Sequence, residues 1–251
     1  LYLKLIMHLL KKIYKFFKLF KSKLWRKGLL NGIAATVELE NLVKDINPET
    51  IIDVGSNKGQ FILLIEQLFP NKIVYSFEPQ TEVLDKQKKL FSYKKNISFY
   101  NFALGSESSI KKFFITRRKD SSSFLKINEN KNKSKYYEIN NEKNIQIKTL
   151  DEVLINWEIK KPILMKIDVQ GYELEVLKGS ENILKKVEYI LIEVSENEMY
   201  KDQPLSNEII NFLQNRNYQI LKQNHPIKIN KTNFIQKDIL FQNQSIKTRA
   251  G

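Results

Sequence analysis

A Rossmann-like α/β fold, a mostly parallel sheet with helices on both faces, is predicted by three observations. Short apolar runs alternate with helical periodicity, a glycine-bearing turn follows the first run, and acidic residues stand where several runs end. Residues 50–54 (TIIDV) form the first strand-length run. Gly55 to Gly59 (GSNKG) turns the chain, and QFILLIEQLF has the i, i+3, i+4 spacing of a helix. IVYSF at 73–77 is a second strand, closing on Glu78-Pro79, with a helix over 80–91. Residues 96–102 alternate as a third strand, followed by Ala103-Leu104-Gly105-Ser106 and another strand near 110–115. Residues 117–144, rich in Lys, Asn and Ser, read as a mobile loop or lid. Order resumes over 145–147, a helix spans 150–157, and 162–167 is a buried strand ending at Asp168. A helix over 172–186, a strand over 189–194, a helix over 206–215 and short strands at 218–221 and 238–241 follow. A helix over 33–46 leads in. The chain thus divides into a basic N-terminal helix (1–28), one domain (29–241, with an insertion at 106–148) and a loose tail (242–251). In such sheets, ligands bind beyond the carboxyl ends of the strands.

The formal charge of +14 is unevenly placed. Residues 1–28 carry nine Lys/Arg and no acid, 117–144 carry a net +4, and the remainder is close to neutral. A domain-wide basic groove is absent, which disfavours a nucleic-acid partner. The lack of cysteine excludes a disulfide framework, a Cys-ligated zinc site and thiol catalysis, and fits a cytoplasmic setting. On a helix, Lys4, His8, Lys11, Lys15, Lys18 and Ser22 share one stripe, with Leu, Ile and Phe over most of the rest. Residues 1–25 are therefore expected to make peripheral membrane contact, on the inner face. Lysines interrupt every long apolar run, which argues against a transmembrane span, and no A-x-A site follows for a cleaved signal.

Two constellations carry chemistry. In Asp53-Val54-Gly55-Ser56-Asn57-Lys58-Gly59 the glycines are four apart, unlike G-x-G-x-x-G, which disfavours a dinucleotide oxidoreductase. Gly55 allows a sharp turn and close approach to a ligand. Asp53 offers a carboxylate to an amino group, and Glu78, ending the next strand, one to ribose hydroxyls. The turn has no phosphate-binding Lys-Ser/Thr, so the expected ligand has an amine and a ribose but no phosphate. The second constellation is Lys166-Ile167-Asp168-Val169-Gln170-Gly171-Tyr172-Glu173, with Lys166 and Asp168 on one strand face. Glu173 falls in a first helical turn, where an acid is also favourable without function. Glu193, inside YILIEV, needs a partner. Asp168 and Glu193 could together hold a divalent cation.

The series IIDVGSNKGQF, FEP, NFALGS, TLDEVL, MKIDVQGYELEVLKG and ILIEV resembles the FkbM-type methyltransferase family over roughly residues 33–221. The resemblance implies a class I methyltransferase fold with a seven-stranded sheet, S-adenosyl-L-methionine as donor, and O-methylation of a hydroxyl, often on a sugar of a surface glycan or on a polyketide. It places Asp53, Gly55, Ser56 (where Ala is usual), Asn57 and Gly59 in the cofactor loop, Glu78 at the ribose, and Asn101 and Ala103 near the adenine. Ser122 and Ser123 match a serine-bearing segment without an assigned role, and Thr149, Leu150 and Asp151 match a turn. Lys166, Asp168, Gly171 and Glu173 match the late motif, with Gln170 where Glu is also common.

A sugar hydroxyl needs a base or a metal to lose its proton. Neither His8 nor His225 stands at a strand exit. Asp168 is therefore the expected base or metal ligand, Lys166 its electrostatic support or an alternative base, and Glu173 and Glu193 weaker candidates. The acceptor is expected to be a sugar or glycolipid. An RNA or protein methyltransferase and a non-catalytic adenosylmethionine-binding module are the competing readings.

Overall fold

The computed structural model describes residues 17–128, 135–155, 157–228 and 234–246. Five parallel strands form the centre of the main sheet: β1 (Thr50–Val54), β2 (Ile73–Phe77), β3 (Ile97–Tyr100), β7 (Ile163–Ile167) and β8 (Tyr189–Ser195). Their order is β3-β2-β1-β7-β8, and β11 (Ile235–Asn243) closes the far side antiparallel to β8. Both β9 (Tyr218–Gln223) and the two-residue β10 (Ile227–Lys228) pair with β11. The expected seven strands are thus present, and β10 makes an eighth.

The central strands are apolar on both faces because both are covered. Ile51, Val74, Leu164, Leu191 and Leu240 enter one core with the helix Gln60–Leu68. Their neighbours Ile52, Tyr75, Met165, Ile190 and Ile239 enter the other, with the helices Glu173–Lys178, Glu181–Leu184 and Ser206–Gln214. Successive side chains on a strand point to opposite faces, which divides each strand between the two cores, and parallel pairing brings the carboxyl ends of the five strands to one common edge.

Four expectations change. The lead-in helix over 33–46 reduces to a 3₁₀ turn at Val37–Leu39 and a single turn at Glu40–Val43. The helix expected over 172–186 is two short helices, because the chain between them approaches another backbone. A Cβ on Gly179 would lie 1.9 Å from the Gly105 carbonyl oxygen, and Asp151 accepts from Asn182 N and Ile183 N (2.8 Å each) to start the second helix. The helix after Thr149 spans Leu150–Val153 alone, and β11 extends into the expected tail, as far as Asn243.

Residues 117–144 do not form one open loop. From Ile139 the chain is in β6 (Ile139–Lys148), antiparallel to β5 (Ser109–Thr116) and joined by β4 (Ala103–Leu104) in a second, three-stranded sheet. Alternation in IQIK was visible, but the polar outer face of INNEKN hid the rest of the strand. Ser121, Ser122, Ser123, Ile127 and Tyr137 are buried; positions 129–134 lie outside the described residues.

The N-terminal helix expected over 1–25 lies, up to position 16, outside the described residues. Residues 17–21 are helical, and a second helix, Lys23–Leu30, starts at a Ser22 cap. It lies on the domain: Leu19 and Trp25 are in the core, and Trp25 Nε1 donates to the Leu63 carbonyl at 2.8 Å. Lys18 pairs with Glu40 (2.7 Å) and Lys27 sits over the Tyr93 ring. Phe17, Phe20 and Leu30 remain exposed. Among the described residues no helix is long and apolar enough to cross a membrane.

Candidate active site

A cavity of about 350 Å³ opens at the carboxyl edge of β1, β2, β7 and β8, under the small sheet and the segment 118–124. Its size is in the range of small-molecule sites. Of the residues expected at a cofactor, Gly55, Asn57, Glu78 and Ala103 line it; of those expected in catalysis, Asp168 and Glu193 do. Asp53, Ser56, Gly59, Asn101, Lys166 and Glu173 stand behind the wall.

The β1 turn is tied to β2 by its backbone. Gly55 N and Ser56 N both donate to the Phe77 carbonyl, and Asn57 N donates to Glu78 Oε2 at 2.9 Å. Glu78 Oε1 accepts from Gln80 N at 2.8 Å. Burial pushes the Glu78 carboxyl up to about 7, against the pull of these two amides. Asn101 holds this corner from outside, donating to the Glu78 and Pro79 carbonyls (3.0 and 3.1 Å). Gly55 was expected to let the backbone approach a ligand. It also lets it approach β7: with φ +76, its missing Cβ would lie 2.0 Å from the Asp168 carbonyl oxygen. Gly59 (φ +85) serves packing, since a Cβ would meet Phe91 and Gln87. Ser56 is held in a buried network with the Ser76 hydroxyl (2.8 Å) and the Gln87 amide (2.7 Å).

Asp53 is fully buried, and neither carboxylate oxygen has a hydrogen-bond partner. Lys166, its neighbour across the β1–β7 ladder, brings Nζ to 3.8 Å. Burial raises the Asp53 carboxyl to about 6, and Lys166 opposes that rise. Asp53 therefore faces Lys166 below the turn, and the expectation of an amine held directly on it is not what this geometry offers. Lys166 Nζ also stands 3.1 Å from Asp168 Oδ2. Burial alone would lower the Lys166 ammonium, but Asp168 and Asp53 outweigh it and hold the group above its ordinary value. The raised ammonium suits electrostatic support of the two carboxylates.

Asp168 turns toward the cavity, with Oδ1 accepting from Gln170 Nε2 at 2.9 Å. The same Nε2 donates to Glu193 Oε2 (3.2 Å), which also accepts from Gln236 Nε2 (2.9 Å). Glu193 therefore finds its partners in two amides, not a lysine. Burial, then Asp168 and Asp238, push its carboxyl well up. Glu173 is a brace: Oε1 accepts from Val169 N (3.1 Å) and Gly171 N (3.0 Å), and burial raises it to about 7. Its place is behind the turn, outside the cavity lining. Between Asp168 and Glu193 stands an amide donor where a cation would need acceptors, and among the described residues no three His, Asp or Glu group as metal ligands. The pair does not fit the cation suggested for it.

Sequence reasoning named Gln170 only as a motif residue and missed Tyr200 and Gln236, which bond Gln170 and Glu193, and Phe77 and Phe102 in the cavity wall. Gln170 (φ 58°) and Gly171 (φ 95°) are both left-handed, a turn of which only the glycine is visible in the sequence.

A 60-residue stretch is 40% identical to the hexuronic acid methyltransferase AglP of Haloferax volcanii, covering 23% of this chain and 25% of that protein. The matched stretch thus spans a quarter of that relative's length. Among solved structures, TrmK of M. capricolum in complex with S-adenosyl-homocysteine aligns over 86% of this chain and 72% of its own at 13% identity and TM-score 0.49. An rRNA methylase from Streptococcus thermophilus aligns over 82% and 94% at 12% identity and TM-score 0.47. Residues 53–220 match the family described as the Methyltransferase FkbM domain. The match takes in both strand-exit turns and more than half of the chain, which therefore belongs to the FkbM family of S-adenosylmethionine-dependent methyltransferases.

Proposed function

We propose that this chain is an O-methyltransferase that uses S-adenosyl-L-methionine to methylate a hydroxyl of a sugar in a surface glycan or glycolipid. One observation carries the reading: Glu78 and Asp168 face a single cavity from the exits of β2 and β7, the two strands that flank β1, whose turn at Gly55 joins them. The donor set fits the cofactor. Glu78 spends one lone pair of each oxygen on a backbone amide and keeps capacity for two ribose hydroxyls. Gly55, Asn57 and Ala103 give the cofactor a close backbone wall, with Ser56, Gly59 and Asn101 supporting it from behind. When bound, the cofactor supplies an electrophilic methyl group.

The chain's own residues do the rest. Asp168, fixed by Lys166 and Gln170, accepts the proton of the acceptor hydroxyl. Lys166 neutralises the paired charge of Asp53 and Asp168 without competing for that proton. Glu193 holds Gln170 from the other side, and Glu173 keeps the 168–173 turn rigid. Alignment, more than acid–base strength, is the main demand of an in-line displacement. The acceptor class draws support from the partial identity with a hexuronic acid methyltransferase. Residues 1–25 are read as a peripheral contact with an anionic inner membrane face, where a lipid-linked glycan would be presented. The nine Lys/Arg of 1–28 and the exposed Phe17, Phe20 and Leu30 support this.

Calorimetry with S-adenosylhomocysteine and transfer of labelled methyl to methyl glucuronoside and neutral glycosides test the central reading. No uptake of the nucleoside by folded protein would sink it. For the membrane contact, a chain shortened to Gly28 would lose Trp25 from the core. Charge reversal at Lys4, Lys11, Lys12 and Lys15 is the better probe, and equal flotation on anionic vesicles would overturn that part.

A further inference from the structure

Ser121 to Ser123 form a run without an assigned role, yet all three are buried under the small sheet. Each is accounted for by its bonds. Ser122 Oγ accepts from Thr116 N (3.2 Å) and so ends β5. Ser123 Oγ donates to the Gln170 carbonyl at 2.6 Å and accepts from Leu125 N at 3.0 Å. The Ser121 carbonyl lies 3.0 Å from the Tyr200 hydroxyl, which is also 3.0 Å from Gln170 Oε1. Tyr200 is wholly buried, and its ring lies against Gly171, where a Cβ would come within 3.0 Å of it. Gln203 fixes the ring's backbone by accepting from Met199 N and Tyr200 N.

These bonds fix which way the Gln170 amide points. Its nitrogen faces the carboxyl groups of Asp168 and Glu193, and its oxygen lies 3.0 Å from the Tyr200 hydroxyl, whose single proton the Ser121 carbonyl also faces. A rotated amide would set its oxygen against the oxygens of Asp168 and Glu193 and withdraw the donor it now offers both, whereas Tyr200, which can accept as well as donate, would keep a partner. The left-handed backbone of Gln170 is costly for a residue with a Cβ, and the Ser123 bond to its carbonyl helps hold it there.

We propose that Gln170 is the positioning residue of this site, and that Tyr200, at its side-chain oxygen, and Ser123, at its backbone carbonyl, hold it in place. The segment 121–123, which borders the cavity, and the Asp168 carboxylate are thereby registered as one unit. This rests on the reading of Asp168 above, and concerns how that carboxylate is aimed. The 121–123 segment delivers the strut through backbone and hydroxyl groups, and Gln170 converts it into the direction of two acids.

Three variants test it in the full chain: Gln170→Ala, Tyr200→Phe, which removes one oxygen, and Ser123→Ala. Hydrogen exchange of segments 121–125 and 168–173 requires no acceptor. Both segments should exchange faster together in Gln170→Ala and Tyr200→Phe, by roughly tenfold or more, as expected when shared buried bonds are lost. Unchanged exchange at 121–125 in Gln170→Ala overturns the proposal. With methyl glucuronoside as acceptor, Gln170→Ala should lose roughly tenfold to a hundredfold in kcat, the scale of one bond to a charged group. Tyr200→Phe should lose less, and both should keep the wild-type KM for adenosylmethionine, a split that general unfolding would not give. Normal kcat in both variants, beside an inactive Asp168→Asn, overturns this proposal alone; an active Asp168→Asn overturns the parent reading and this one with it. If the wild type leaves the glucuronoside untouched, that acceptor is excluded and the exchange result decides.

Discussion

The two halves of the cavity hold their carboxylates by different means. At the exits of β1 and β2, Glu78 is fixed by the backbone amides of Asn57 and Gln80. At the exits of β7 and β8, Asp168 and Glu193 are fixed by side chains: the Lys166 ammonium and the amides of Gln170 and Gln236. Backbone amides belong to the turn itself and cannot be exchanged by substitution, so they suit a ligand that never changes. Side-chain donors can be replaced one at a time, so they suit a surface that must match one acceptor among many. On this view the first half suits the constant ligand, the cofactor, and the second suits the acceptor.

The largest expected effect comes from the side-chain half. Asp168→Asn keeps the shape but removes the acceptor of the hydroxyl proton. Turnover should fall by about 10²–10⁴, the contribution of a positioned base, with S-adenosylhomocysteine affinity within about twofold of wild type by calorimetry. Wild-type turnover would break the division between the halves at its most important residue.

How far each half is legible in the sequence follows from the same difference. The turn at 53–59 and the acid at Glu78 are local patterns: glycines four apart after one strand, an acid after the next. They could be read directly, as could the strands, because both faces are buried and the runs are apolar. The late motif marked Asp168, but the residue that bonds its partner Gln170 is 30 residues further on at Tyr200, and Glu193 is held from 43 residues away by Gln236. No periodicity reports such pairings. The small sheet was under-read for a related reason: the β6 face over INNEKN is exposed and polar, so composition alone resembles a loop. Asp53 is the converse case: the sequence marks its place at the end of β1, and the fold sets its carboxylate facing Lys166 below the turn.

The halves meet at Gly55, and a stability measurement sharpens that junction. Gly55→Ala forces a Cβ to within 2.0 Å of the Asp168 carbonyl oxygen and strains φ +76. Gly32 has a similar φ of +69 with nothing within 4 Å of its Cβ position. Gly32→Ala should cost about 1 kcal/mol, the strain of a left-handed alanine alone. Gly55→Ala should cost roughly 3 kcal/mol or more, since backbone must move on both strands. Urea denaturation of the two variants gives the difference. Equal losses would mean that contact between the strand exits is not what requires glycine at 55.

Glu78→Gln tests the backbone half. The amide still accepts from Asn57 N or Gln80 N but loses its charge. Affinity for S-adenosylmethionine should fall roughly tenfold to a hundredfold, the range for one bond to a charged group. At saturating cofactor kcat should stay near wild type, the reverse of the Asp168→Asn pattern. A loss confined to kcat would merge the two halves into one functional unit.

The smallest effect is a pH dependence, and its sign follows from burial. Glu78 is raised to about 7 in the free protein, so near pH 6 most molecules carry it protonated. Two ribose hydroxyls donate best to the ionised form, so binding must draw the pKa down and release a proton. Affinity should therefore rise with pH, by about tenfold between pH 6 and 8, and level off above. Stability of the free protein runs the other way. Glu78, Glu173, Asp53 and Asp238 are all raised, to between about 6 and 7, above their unfolded values. The folded state then binds the extra protons, and the stability they contribute is lost as pH climbs from about 4 to 7. The thermal shift produced by saturating cofactor should consequently grow from pH 6 to 8 while the melting temperature of the free protein falls from these groups. In Glu78→Gln the growth of the ligand-induced shift should vanish and the decline of the free protein should persist, because three of the four buried acids remain. A ligand-induced shift that still grows in that variant would place the released proton on another group, and the constant half of the cavity would no longer depend on Glu78.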